Sequence, residues 1–442
     1  MSKKVQFILL SEVLLIGLFA KCMSLVTKII MTRELGLEAM SLFSLVNPLI
    51  LLLLTLSSLS LQNAIGSSIA RRPERRKTIL FNALFITVVL SLILILLLAI
   101  FAYPISRYLL KNTATLPAVF AAVFVIPLTS VSSIIKGYFL GIGEMKLTSG
   151  SQVFEECGRL LFLIVILSFF GDADPSIKAS VAVFSLCVGE VFQIVYMLLF
   201  YRNMSFGKVT AFLKNHDKKD DDYGSILKIS IPLTLSRLVG SLTYFVEPII
   251  FTALMSRKML SVEEITIQYG ILNSYVLPLL LMPGFISVTL SNLIIPHLGR
   301  LIRNQNDRAA KKYIFRVLLL CFFIGAAISS VYFFFSDPLT RLVYGQPYGS
   351  SLVRKYAFFF IVYYVESPIV TCLSLFNLSR CALISTIVSS IGRIVLMVLL
   401  IGPLGIDGLC IAIIASTYID VAMNLFFLFR FFVRYQKNPV RL

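Results

Sequence analysis

Tryptophan is absent from the 442 residues, histidine occurs only at His216 and His297, and charged residues make up just 14%. Each scarcity excludes something. Two isolated histidines in connecting stretches leave no basis for a histidine-built metal centre or acid–base relay. Cys22, Cys157, Cys187, Cys321, Cys372, Cys381 and Cys410 all fall in or beside apolar segments, and none forms C-x-x-C. They read as small buried thiols with neither a metal nor a disulfide role. No G-x-x-x-x-G-K-[ST] loop, nucleophile elbow or H-E-x-x-H is present, so hydrolysis, of ATP or anything else, has no residues to carry it. The expectation is a chain that is not an enzyme and holds no metal or cofactor. Without tryptophan, Tyr and Phe must supply any interfacial belt.

What is abundant is apolar sequence. Hydrophobic residues reach 58% and mean hydropathy is +0.91, which marks a polytopic membrane protein. The first apolar segment lacks a small-residue cleavage site and reads as a retained span. Twelve runs can cross a hydrocarbon core of about 30 Å at about 1.5 Å per residue. They are 5–32, 41–69, 79–103, 116–142, 150–170, 177–201, 226–255, 265–296, 313–335, 356–376, 381–401 and 408–429.

Charge orients them. With a cytoplasmic N-terminus, inside segments hold 24 Lys and Arg and outside segments hold 9. That asymmetry satisfies the positive-inside rule and places both termini in the cytoplasm. The net charge of +18 lies in loops and at span ends, because, with Lys178 and Lys228 counted to the flanking segments, the spans carry seven cations and seven acids. "RRPERRK" (71–77) therefore reads as an anchor against anionic lipid, and no nucleic-acid partner is expected.

The chain also resembles itself. "CGRLLFLIVIL" (157–167) echoes "IGRIVLMVLLI" (391–401), and "YPISRYLL" (103–110) echoes "DPLTRLVY" (337–344), both at an offset of 234; "LQNAIGSSIAR" (61–71) echoes "LSNLIIPHLGR" (290–300) at 229. Six spans is an even number, so both halves start on the cytoplasmic side as parallel repeats. The expected organisation is a six-helix bundle over 1–201, a cytoplasmic linker over 202–225 and a second six-helix bundle over 226–442. The fold class is all-α membrane protein, with alternating access between the bundles as its mechanism.

Ionisable residues at membrane depth are candidate site residues, because each costs free energy in lipid. Lys21 and Lys28 are seven residues apart, which is about 700° of helix, so they share a face. Lys21 faces a cavity or a buried ion pair; Lys28 faces the same cavity or snorkels outward. Arg237, near mid-depth, points to a cavity role. Glu247 precedes Pro248, whose missing N–H frees a carbonyl. It is either an ion- or proton-coupling group or half of a structural pair. Glu155 and Arg159 stand i, i+4 and read as an intrahelical ion pair. Arg393, the repeat mate of Arg159, has Ser389 at the matching position. It needs a partner such as Glu366 or Asp420, or a substrate anion. Lys136 and Arg316 lie close enough to span ends to snorkel. Three prolines (Pro278, Pro283, Pro296) interrupt the eighth span, as in helices that line cavities or flex.

These residues carry a family resemblance. The eighth span, "GYFLGIGEMKLTSGSQVFEECGRL" (137–160), "DPLTRLVYG" (337–345), "PLGIDGLCIA" (403–412) and Lys21 followed by Arg33, Leu35 and Gly36 occur in this order. Together they resemble the polysaccharide-exporter families of the multidrug/oligosaccharidyl-lipid/polysaccharide superfamily, closest to the stage V sporulation protein B group. Many relatives have fourteen spans where twelve are expected here. The resemblance implies a flippase or exporter in the cytoplasmic membrane. Its substrate would be a polyprenyl-pyrophosphate-linked glycan precursor of cell-wall or surface-polysaccharide type. The implied partners are that lipid-linked anionic glycan, membrane lipids and envelope-synthesis enzymes. Lys21, Lys28, Arg237 and Arg393 are then the substrate-binding set, with cations offsetting a pyrophosphate. Two other readings stand beside this one: a cation-coupled multidrug exporter of the same superfamily, and a non-transporting scaffold for envelope enzymes.

Overall fold

The computed structural model describes residues 3–71, 73–170, 173–200, 223–258, 260–303, 307–376 and 378–437. The expected linker over 202–225, with His216, falls almost entirely outside the described residues. Two compact units emerge, Met1–Pro248 and Ile249–Leu442. Their division lies inside a helix, at the proline beside Glu247.

The first unit opens with α1 (Lys3–Ser58), whose two arms meet at Gly36 (φ 75°, ψ 176°). Only glycine takes that conformation without strain. Leu59 and Ser60 interrupt the helix again before α2 (Leu61–Arg71). Then follow α3 (Arg76–Pro104), α4 (Leu116–Gly141), α5 (Met145–Phe169), α6 (Pro175–Phe200) and α7 (Tyr223–Met255). On α3 the faces are inverted relative to a soluble protein. Phe85, Leu92, Leu96 and Ile100 are exposed, while Thr87 and Ser91 are buried. Lipid solvates the first set, and hydroxyls bond within the bundle: Ser91 Oγ donates to Ser130 Oγ at 3.1 Å, and Ser130 Oγ lies 3.3 Å from the Ser57 carbonyl. Small residues set the closest packing. A Cβ at Gly137 on α4 would stand 2.9 Å from the Gln62 carbonyl on α2.

The second unit contains α8 (Val262–Gly270), α9 (Leu277–Leu281), α10 (Gly284–Arg303), α11 (Asp307–Phe334), α12 (Ser336–Tyr344), α13 (Ser350–Tyr356), α14 (Tyr363–Leu375), α15 (Ser379–Leu404) and α16 (Ile406–Lys437). Ser261 caps α8: its side chain accepts from the Glu264 N–H, and the Glu264 carboxylate accepts from the Ser261 N–H. One apolar cluster joins α10, α11, α14 and α16 through Ile294, Leu298, Ile314, Ile369, Leu373 and Leu428.

Among the described residues nine helices are long and apolar enough to cross a bilayer, or ten if the bent pair 262–281 and 284–291 counts as one span. The difference from the twelve expected runs has a physical origin. The first two runs join into one long helical stretch across Gly36. The fifth run lies in α5, where three charges, Glu155, Glu156 and Arg159, fall within five residues of one another. The chain is a multi-pass membrane protein, all-helical over the described residues.

Candidate functional site

Three strips run along the first arm of α1. Ala20, Thr27 and Met31 are buried against the bundle. Leu15, Phe19, Cys22 and Val26 are exposed, about 130° round the helix from that buried strip. Lys21, exposed, and Lys28, half-buried, form a third strip, roughly 90° from the buried one and 140° from the apolar one. The cations therefore occupy a surface distinct from the apolar strip. An open groove of about 680 Å³ lies on the apolar side, lined by Leu15, Phe19, Val153, Phe154 and Tyr196. Phe154 and Tyr196 stack there with centroids 4.2 Å apart. Lys146 of α5 pairs with Glu12 of α1 near its rim.

Lys28 reaches inward to a buried charge cluster. Arg159, also a cation, is its charged neighbour there. The close carboxylate of Arg159 is Glu156, i−3, at 3.3 Å, one residue on from the Glu155 that the i, i+4 spacing suggests. A Cβ at Gly189 would stand 2.6 Å from Arg159 Cγ and 3.0 Å from the Glu155 carbonyl. Glycine thus lets the arginine stem lie directly on α6. Glu155 sits within electrostatic reach of Glu190, Lys136, Glu156 and Arg159. Glu190 is 8% exposed, and its Oε2 has no hydrogen-bond partner among the described residues. Three cations and three carboxylates thus gather in one unit. Beside them Ser132 Oγ donates to Gln193 Oε1 at 2.9 Å, and Gln193 Nε2 donates to Ser151 Oγ at 3.2 Å.

Arg237 and Glu247 share α7 but not a face: Arg237 is exposed and Glu247 fully buried. In the second unit Arg393 is half-buried on α15. Asp420, one of the partners expected for it, accepts from Ser389 Oγ at 3.3 Å and Asn424 Nδ2 at 2.8 Å. Glu366 lies within electrostatic reach of Asp420.

Sequence reasoning passed over two groupings. Asp407 accepts from the Tyr356 hydroxyl at 2.7 Å and pairs with Lys355 at 2.9 Å. Glu190 and Gln193, a turn apart on α6, were legible as polar residues in an apolar run. Among the described residues no group of three or more His, Cys, Asp or Glu is placed to hold a metal ion.

Comparison with known proteins places this geometry. The chain is 27% identical over 408 residues to stage V sporulation protein B of Bacillus subtilis (strain 168), covering 90% of this chain and 79% of that protein. It is 24% identical over 362 residues to sporulation protein YkvU of the same organism, covering 80% and 79%. Among solved structures it shares its fold with an inward-facing multidrug resistance MATE family transporter of the MOP superfamily (TM-score 0.71, 17% identity, covering 95% of this chain and 96% of that one). It shares it equally with the lipid II flippase MurJ in an inward closed conformation (TM-score 0.71, 15% identity, covering 95% and 87%). The family model described as polysaccharide biosynthesis protein matches residues 11–302, and the chain belongs to that family.

Proposed function

We propose that this chain is a flippase that moves a polyprenyl-pyrophosphate-linked glycan precursor across the cytoplasmic membrane by alternating access. The single observation that carries the reading is the cationic strip of α1. Two lysines stand on a face apart from the apolar one, and Lys21 lies near the middle of its expected span, where lipid contact costs roughly 2.5–3.5 kcal/mol. An anion crossing a low-dielectric space needs such charges, and a lysine ammonium releases it more readily than a bidentate arginine fork. Lys21 is the principal substrate contact, with Lys28, Arg237 and Arg393 assisting and Glu247 coupling an ion or proton. Glu155 and Arg159 belong to the buried cluster that fixes α5 against α6. Envelope-synthesis enzymes are its partners in the membrane.

Two parallel six-span bundles with both termini cytoplasmic complete the reading. The 234-residue offset supports the repeat. It carries α4 (116–141) onto 350–375, the stretch from the start of α13 to the end of α14, and α5 (145–169) onto 379–403, within α15. The test is flipping of a fluorescent polyprenyl-pyrophosphate glycan by the purified chain in liposomes. Lys21→Ala is expected to lower the rate at least tenfold at equal protein, with Lys21→Arg retaining part of it. Full activity of Lys21→Ala removes the cationic role.

A second reading, a cation-coupled drug exporter, draws on the buried acids Glu190, Glu247 and Asp420 and on the shared fold with a multidrug transporter. It requires that cationic-dye efflux rise with expression and fall in Glu247→Gln, and that Lys21→Ala leave it unchanged.

A further inference from the structure

The eighth span of the second unit is built in pieces. After α8, residues Ile271–Val276 form a π-helical turn, and the span then bends by 45° between 262–281 and 284–291. Pro283 sits at the bend. It has no N–H, so the carbonyl four residues before it, Leu279, loses its helical donor. A carbonyl left bare at membrane depth is costly. The structure supplies a donor from another helix: Tyr332 of α11 donates its hydroxyl to the Leu279 carbonyl at 2.8 Å. Tyr364, at the start of α14, donates to the next carbonyl, Leu280, also at 2.8 Å. Both tyrosines are buried, at 7% and 1% exposure.

Glycine makes room for the ring of Tyr364 and for that of its neighbour Tyr363. A Cβ at Gly325 would stand 2.7 Å from Tyr364 Cδ2, and a Cβ at Gly284 would stand 2.6 Å from Tyr363 Cε1. The two arms of the span are anchored separately. Above the bend, Tyr275 packs edge-on to Tyr344 and Tyr348, with centroids 5.0 and 5.6 Å away. Below it, Ser291 Oγ bonds Ser367 Oγ at 3.0 Å, and Ile294 and Leu298 join the apolar cluster. Between these anchors, the two tyrosine hydroxyls bond to the backbone at the bend itself. A hydroxyl is a donor that turns and exchanges partners, whereas a missing amide is permanent.

We infer that the break at Met282–Pro283 is a moving joint of the transport cycle, latched in its bent state by the hydroxyls of Tyr332 and Tyr364. Releasing the latch lets the two arms reorient about 282–283 while each keeps its own packing. The inference needs only a membrane transporter that changes shape, whatever its substrate.

Pro283 and the Tyr332 hydroxyl are therefore coupled. Alanine at 283 returns the N–H that Leu279 lacks, so the Tyr332 hydroxyl becomes redundant. The experiment uses the full-length chain in lipid nanodiscs and reads hydrogen exchange at the backbone amides of 284–288. Tyr332→Phe is expected to raise exchange there at least tenfold. In a Pro283→Ala background the same substitution is expected to change exchange by less than twofold. An equal rise with and without Pro283, or no rise with Pro283 present, overturns the joint. If Tyr332→Phe does not fold, spin labels at Val262 and Gly299 decide the matter. Val262 is 50% exposed, and a Cβ at Gly299 meets nothing within 4 Å. The protein with Pro283 is expected to give two distance populations and Pro283→Ala one. A single identical population in both overturns the proposal.

Discussion

At the residue scale, the lesson is in Arg159. Its helix offers carboxylates at i−4 and i−3, Glu155 and Glu156, and local spacing treats them as near equals. The pair that forms is with Glu156, and the arginine stem lies against a different helix, at Gly189. Nothing in the local pattern of α5 contains that information. The two glutamates consequently differ in what they stabilise. Glu156→Gln strips a half-buried arginine of its close counter-charge, and breaking such a pair costs roughly 3–5 kcal/mol. Glu155 shares its surroundings with another carboxylate, Glu190, so removing its charge relieves repulsion as well as losing attraction. Thermal unfolding in detergent is therefore expected to fall by several degrees for Glu156→Gln and to move little for Glu155→Gln. Gly189→Ala is the complementary change. Its Cβ would meet Arg159 Cγ at 2.6 Å and backbone at 3.0 Å, so the α5–α6 contact must open, at a cost of about 1–3 kcal/mol.

At the element scale, apolar run length located most helices. The expected span 116–142 is α4 (Leu116–Gly141), and 381–401 lies within α15 (Ser379–Leu404). What run length does not reveal is how helices end or break. Gly36 was visible only as part of an Arg–Leu–Gly pattern; its φ of 75° and ψ of 176° make it the joint between the two arms of α1. Pro283 read only as one of three prolines interrupting the eighth span; the donor to the carbonyl it frees, Tyr332, stands 49 residues further on, and only tertiary structure pairs them. The cost at Gly36 is conformational, because a Cβ there meets nothing within 4 Å. Gly36→Ala is thus expected to destabilise by about 1–3 kcal/mol without any clash, read as a lower unfolding temperature. A second substitution that empties neighbouring space will not rescue it. Rescue by a nearby large-to-small change would show that sterics, not backbone conformation, impose the glycine.

At the scale of the whole molecule, the distribution of charge and the distribution of apolar surface answer different questions. Exposed apolar faces such as that of α3 define what lipid covers, and they say nothing about which end is inside. The cations do, because loops rich in Lys and Arg are retained on the cytoplasmic side. Arg75, just before α3, belongs to a segment expected inside; Lys258 and Lys355 belong to segments expected outside. All three side chains are exposed, so each site is open to a reagent. Single cysteines placed at 75 and 258 in a background without native cysteines therefore read the orientation directly. Lys355 is left in place, because its ammonium holds Asp407 at 2.9 Å. In intact cells a membrane-impermeant maleimide is expected to label position 258 and not 75, and permeabilisation is expected to add 75. The reverse pattern would put 9 cations inside against 24 outside, and would turn the Lys21 end of α1 toward the opposite leaflet. An anion carrier loaded from the cytoplasm needs the first arrangement, since its substrate must meet the α1 lysines before the cycle turns outward.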